Sequence, residues 1–482
     1  IFSPRRAAKA IDAFCFGVCF FIWFYYTTST KYGCPVYGYI IVYIYIEPKG
    51  IDPYTGELRN FNEEFKDFLE KRKTDPDYCP VFYYSELKKL NIKQLEESLV
   101  RLDEIEKEAL KENENIYQVV FGQIAPIKAK INFLIELRKA HFENGDLQKA
   151  FENGLKAYSD IDDDLCKAAN KKRKEILKML KEKPPKSKLE KKLEEKEFDS
   201  GDIKNIMEHA LRAGGLEKDF KVVIEKGINN MSVSYSAPGH PYNVVMIPRD
   251  RKVNGVELPQ KIAHEMTHVM SHAFSPKQGI YLGGKESEIY TEGIAQNSED
   301  EIMKYVLGEK DGERYIKSRT DDSLYYILAM EKAKEGSNFA QVYDFIFEKK
   351  YEENLLKNEY HILKDEKNKE AGKIKNKSNN DAVKFSKTVS MRIFRGFNFS
   401  EGRKYFTKDL IYFKGKIAVK LMKEERISRL YMSRIDPALI PFLEKLGAYA
   451  SKKECEHARS AVKNIWKEKR WVSDYFKNKK IF

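Results

Sequence analysis

Residues 264–268 read His-Glu-Met-Thr-His inside an apolar run, with Ile262 and Ala263 before them and Val269 and Met270 after. On an α-helix, residues four apart differ by about 40° around the axis, so His264 and His268 share a side and Glu265 stands beside the first. The apolar flanks predict a buried helix. Two imidazoles and a carboxylate buried without partners are costly. One metal ion answers all three. The chain must therefore build a core around a helix over Leu258–Phe274, with Pro259 in its first turn, and bring it another ligand from elsewhere. The 6 cysteines are scattered, with no CxxC pair. They suggest neither a thiolate site nor a disulfide framework, so a reducing, cytoplasmic setting is expected and the ligands must be His and carboxylate.

Zinc is the expected ion. It takes three protein ligands in a catalytic site, leaves one position to water, and lowers that water's pKa to about 7. Glu265 is then placed to take the water's proton and pass it to a leaving amine. The third ligand is expected from Tyr290-Thr291-Glu292-Gly293-Ile294-Ala295 on the next helix, Glu286–Leu307. By spacing, Glu292 leads and Glu286, Glu288 and Glu299 compete. Gly293 is expected to let this helix approach the metal helix closely. His272 continues the spacing and reads as a helix-end residue.

The remaining pattern gives an α+β chain, mostly helical, with a small sheet just before the metal helix. At 482 residues it exceeds one ordinary core. Residues 47–166 read as helical, including one helix over Ser85–Asn113 and another over Ile124–His141. Residues 167–198 form a charged insertion broken at Pro184-Pro185. Residues 199–351 hold the catalytic core. Within it, Lys221–Ile224, Met231–Ser236 and Asn243–Ile247 read as strands. Residues 352–380 form a polar insertion, and residues 381–482 a helical C-terminal part that completes the site. Residues 1–46 are apolar and aromatic behind Arg5, Arg6 and Lys9. They read either as a membrane-associated segment or as translated non-coding sequence.

The net charge of +13 is unevenly spread, since Lys167–Phe198 carries 13 Lys/Arg against 6 Asp/Glu. Such a stretch reads first as a solvated face or spacer, and second as a site for an acidic protein partner. No nucleic-acid-binding motif accompanies it.

Ile262-Ala263-His264-Glu265-Met266-Thr267-His268-Val269, followed by Thr291-Glu292-Gly293-Ile294-Ala295, resembles the metallopeptidases related to microtubule-associated tyrosine carboxypeptidases, whose bacterial relatives carry a QEGLA motif. Arg392-Ile393-Phe394-Arg395-Gly396 and Phe406-Thr407-Lys408-Asp409-Leu410-Ile411-Tyr412-Phe413-Lys414-Gly415 are similar to the family's RxFRG and FTKDxxYxxG blocks. Weaker similarity begins near Ile51. The chain departs from the family at HExxH, where an HExxxH spacing is usual. The resemblance implies a gluzincin-like core with Glu292 as third ligand. It also implies carboxypeptidase activity, which removes a C-terminal aromatic residue in the eukaryotic members. Such an enzyme needs a cation for the terminal carboxylate and a donor for the developing oxyanion. Within the matched motifs Arg395 and Lys408 are the candidate cations and Tyr412 the candidate donor.

The leading expectation is a zinc carboxypeptidase acting on peptide or protein C-termini. An endopeptidase or aminopeptidase on the same centre, and a non-catalytic zinc-stabilised interaction protein, are the alternatives.

Overall fold

The structure is a computed structural model. It describes residues 49–456 apart from 52–57, 183–185, 235–242, 275–285, 365–368, 432–434, 446–448, 450–452 and positions 60, 81, 89, 227, 229–230, 320 and 454. The apolar segment 1–46 lies outside the described residues. Among the described residues no helix is long and apolar enough to cross a membrane.

The chain is mostly helical with small sheets, and its apolar residues gather into two cores. Strands β1 (Lys49–Ile51), β2 (Leu58–Arg59) and β3 (Phe82–Tyr83) form an antiparallel sheet ordered β2-β1-β3. Helices α1 (Phe61–Lys71), α2 (Ser85–Lys88), α3 (Ile92–Leu110), α4 (Glu114–Phe142), α5 (Leu147–Tyr158) and α6 (Asp163–Glu182) follow. The single helix expected over Ser85–Asn113 is interrupted at Asn91. Its side chain accepts from the Gln94 amide at 3.2 Å, and so caps a fresh start at Ile92. Asn113 caps α4 in the same way.

Next come α7 (Lys188–Glu194) and β4 (Glu197–Phe198). The Lys-rich stretch 167–198 is thus no free spacer. Many of its charged residues are exposed, though Glu190 is buried against Arg314, while Ala169, Ile176, Leu193 and Phe198 are fully buried. Helical periodicity reconciles a solvated face with a packed one.

The second core surrounds the helix that carries His264 and His268. It contains α8 (Ser200–Ala213), β5 (Phe220–Glu225), β6 (Ser232–Ser234), β7 (Asn243–Pro248), β8 (Val253–Asn254), α9 (Glu257–Phe274) and α10 (Ser287–Leu307). The sheet is ordered β5-β7-β6, with β7 parallel to β5 and antiparallel to β6; Val245 pairs with Val222 and Val233. The outer strand β6 packs against α9.

Helices α11 (Glu309–Ser318), α12 (Ser323–Lys334), α13 (Phe339–Lys364) and α14 (Lys369–Phe394) come next. The described residues of the polar segment 352–380 fall within α13 and α14, which pack along each other; Asn354 Nδ2 donates to the Ser378 carbonyl at 3.2 Å. Residues of α12–α14 join the first core, alongside α1 and α3–α6. Helix α15 (Leu410–Lys420) bridges the two. Leu410 and Phe413 belong to the first core and Val419 to the second. Helices α16 (Glu424–Leu430) and α17 (Ile440–Lys445) close the second.

Candidate metal centre

Helix α9 starts where Asn254 Oδ1 accepts from the amides of Val256 at 3.0 Å and Glu257 at 2.9 Å. Ile262, Ala263, Met266, Val269 and Met270 are buried, and Glu265, Thr267 and His268 are buried with them. Burial on more than one side holds the helix in one rotation about its axis, which places both imidazoles against α10.

The imidazole Nε2 atoms of His264 and His268 lie 3.2 Å apart. One oxygen of Glu292 lies 3.3 Å from His264 Nε2 and the other 3.5 Å from His268 Nε2. Ligands held about 2.05 Å from a tetrahedral zinc are separated by about 3.3 Å along each edge. The three donors therefore have the spacing of a shared ion. Two imidazoles and one carboxylate also suit zinc chemically, and these three form the one metal-competent group among the described residues.

The competing glutamates are drawn elsewhere. Glu286 pairs with Lys414 at 3.2 Å and Glu288 with Lys130 at 3.0 Å. Glu299 lies 2.8 Å from the other nitrogen of His264, Nδ1, and its second oxygen accepts from Arg319. An ionised carboxylate only accepts, so Nδ1 carries a proton and Nε2 is the nitrogen facing Glu292. Burial disfavours the Glu299 charge, but Arg319 and His264 outweigh it and hold the carboxyl well below its usual range. For His264 burial works against protonation. The hydrogen bonds to Glu292 and Glu299 overcome it and lift the metal-free imidazole to about 10. A cation bound at Nε2 therefore has to displace a proton.

Glu265 is 5 % exposed, and its Oε2 has no hydrogen-bond partner among the described residues. Burial, reinforced by the charge of Glu292 and opposed by His264, pushes its carboxyl up to about 7. A group that takes up and releases a proton near neutrality is what a general base requires.

Helix α15 carries the rest of the site past α10 at a pair of glycines. A Cβ on Gly293 would stand 2.3 Å from the Gly415 carbonyl oxygen, and one on Gly415 would stand 2.1 Å from the Ile289 carbonyl oxygen. This corrects the expectation for Gly293. Its missing side chain admits α15, not the metal helix, because the backbone meeting it belongs to Gly415. The crossing brings Tyr412 within electrostatic reach of Glu292. Burial, then the charge of Glu292, push the phenol well above its usual range, so it stays a donor. Gln296 Nε2 donates to the Tyr412 carbonyl at 3.1 Å and secures the register.

Lys408 precedes α15. Burial pushes its ammonium down to about 8, against the raising influence of Glu288 and Asp409. Its ammonium lies within electrostatic reach of Glu288, which stands one helical turn from Glu292 on α10. Arg395 is placed differently. Its charge acts on Tyr84, which packs edge-on against His141 with ring centres 5.3 Å apart. Three residues earlier, Arg392 grips both oxygens of Asp409 and donates to Tyr326 at 3.2 Å. Arg392 thereby fixes the segment running from Lys408 into α15.

Sequence reasoning did not find this role of Arg392, nor Lys130 or Arg319. Arg392 stands in a matched motif, which was a usable signal. Lys130 and Arg319 carry none, since each reaches the site from a distant element.

A buried hydroxyl chain holds α9 against α10. Thr267 Oγ1 lies 2.8 Å from the Ala263 carbonyl and 2.9 Å from Ser298 Oγ, which lies 3.1 Å from the Tyr431 hydroxyl. Thr267→Val keeps the shape but removes one member. It is expected to cost about 1–3 kcal/mol in denaturant unfolding. An unchanged midpoint would show that the chain contributes nothing. Against known proteins, the chain matches no family model and no curated protein significantly.

Proposed function

We propose that this chain is a zinc-dependent peptidase that removes residues from the C-termini of peptides or proteins. One observation carries the reading: His264 Nε2, His268 Nε2 and the Glu292 carboxylate converge at ion-sharing distances beside a buried, unpartnered Glu265 oxygen. A zinc ion there would supply a Lewis acid for the scissile carbonyl and bring water into reach of deprotonation near neutral pH.

The residues divide the remaining work. Glu265 takes the proton of the attacking water and delivers it to the departing amine. Tyr412 donates to the carbonyl oxygen as that oxygen gains charge. Lys408 binds the terminal carboxylate as a point charge. Strand β6, the outer strand beside α9, offers an edge along which an extended peptide can lie. The resemblance to the tyrosine-carboxypeptidase-related family favours the same gluzincin-like ligand set and C-terminal action. An endopeptidase on this centre is the second reading.

Incubating the zinc-loaded protein with a C-terminally diverse peptide library, read by mass spectrometry, separates these readings. Loss of single C-terminal residues is the expected result. Internal cleavage would establish the endopeptidase, and a protein that binds no zinc would end both readings.

Lys408 gives a sharper test of C-terminal action. Lys408→Met is expected to raise KM on the order of 10-fold, the worth of a charged hydrogen bond, with kcat much less affected. Because burial depresses the ammonium to about 8, its charge is full below that pH and fades above it. KM of the unmodified protein should therefore climb as pH passes about 8, and KM of Lys408→Met should stay flat. A parallel climb in both would remove Lys408 from substrate binding. The shift has a stability counterpart. Between about 8 and about 10.4 the unfolded chain binds the extra proton, so this group's penalty on folding is full below about 8 and is relieved as pH rises through that window.

A further inference from the structure

The guanidinium of Arg319, just beyond the end of α11, touches both ligand-bearing helices. One nitrogen donates to Gln260 Oε1 on α9 and another to Glu299 Oε2 on α10. Gln260 stands one turn before His264, and its own Nε2 is committed to the Val256 carbonyl at 2.7 Å and the Tyr315 hydroxyl at 2.9 Å. Glu299 passes the contact on to His264 Nδ1 at 2.8 Å. The path from Arg319 to the donor set is thus one side chain long, and every group on it is buried or half-buried.

We propose that Arg319 is a positioning residue for the metal centre, acting through Glu299 to set the affinity of His264 for the ion. Two physical effects combine. A planar fork shared between Gln260 and Glu299 ties α9 to α10, and so holds the His264–His268 pair at its distance from Glu292. Glu299, kept in place by that fork, orients the His264 ring and leaves Nε2 as its ligating atom. Lysine in place of Arg319 supplies a charge but cannot span both helices. Arg319 touches neither substrate nor ion in this scheme.

The proposal rests on the metal-site reading, and its test separates the two. Zinc affinity of the folded protein is measured by competition with a chromophoric chelator, with thermal unfolding of the metal-free protein followed in parallel. Arg319→Met and Glu299→Gln are each expected to weaken zinc binding by about 10- to 100-fold, the usual worth of such outer partners. Arg319→Lys should fall between Arg319→Met and the unmodified protein. Because Arg319 acts through Glu299, the double variant should bind zinc about as weakly as the weaker single one.

If Arg319→Met does not fold, Arg319→Lys carries the test alone and in combination with Glu299→Gln. Unmodified zinc affinity in a folded variant of lowered Tm would overturn the proposal by making Arg319 merely structural. Fold-losses that multiply in the double variant would overturn it by separating Arg319 from Glu299. Absence of zinc binding in the unmodified protein would instead overturn the metal site itself.

Discussion

Glu265→Gln is expected to lower kcat on a cleaved peptide by about 10²- to 10⁴-fold, the span removed with a general acid–base group. Zinc affinity should remain within a few-fold, because the proposed ligands are His264, His268 and Glu292. The substitution is nearly isosteric and neutral. It takes away a buried carboxylate whose ionisation burial opposes, so the metal-free protein should be as stable as before or more so. Activity and stability would then move in opposite directions, the mark of a group kept for chemistry. Peptide turnover, chelator competition and thermal unfolding of the same preparation measure all three. Turnover that survives the substitution would require another base and would sink the assignment.

Gly293→Ala should strongly disrupt the crossing of α10 and α15. An added methyl meets the Gly415 carbonyl oxygen at 2.3 Å and its carbon at 2.5 Å. Both obstacles are backbone, so no rotamer relieves them and α10 and α15 must part. Overpacking costs about 1–3 kcal/mol when side chains can yield; two unyielding backbones put this change at about 3 kcal/mol or more. Parting the helices also carries Tyr412 away from Glu292, so kcat should fall further than partial unfolding explains. Denaturant midpoints combined with turnover of the folded fraction test both parts. A variant of unchanged midpoint would show that the helices do not cross where the structure places them.

The helices around the site were largely legible because their signals are local. Pro259, the apolar run through Met270 and the four-residue His spacing anticipate α9 to within one residue, and the strand-rich stretch after Phe220 folds as the expected sheet. Asn91 was the missed signal among the N-terminal helices: a capping side chain in the middle of a periodic run breaks it, whatever the spacing of its leucines. The long pair α13 and α14 absorbs a segment whose polarity suggested an insertion. Composition reports how much of a helix is solvated and does not report whether it is a helix.

Spacing alone determined that His264, Glu265 and His268 share one helix and the sides on which they stand. A helix sets the direction of each side chain relative to its near neighbours through backbone geometry alone. It favoured Glu292 only modestly over Glu286, Glu288 and Glu299, because all four lie on or at the start of the next helix and each could be turned to some partner. Tertiary packing decided that. Lys414, Lys130 and Arg319 arrive from three other elements and engage the other three glutamates, and Glu292 faces the two imidazoles. The same holds for Gly293, whose partner is a backbone 122 residues away, and for Arg395 and Arg392, three residues apart on one motif but facing different neighbours. Which faces meet is set by long-range burial and by pairing of buried charge. Those terms depend on the whole assembled chain and leave no periodic trace in any one segment of it.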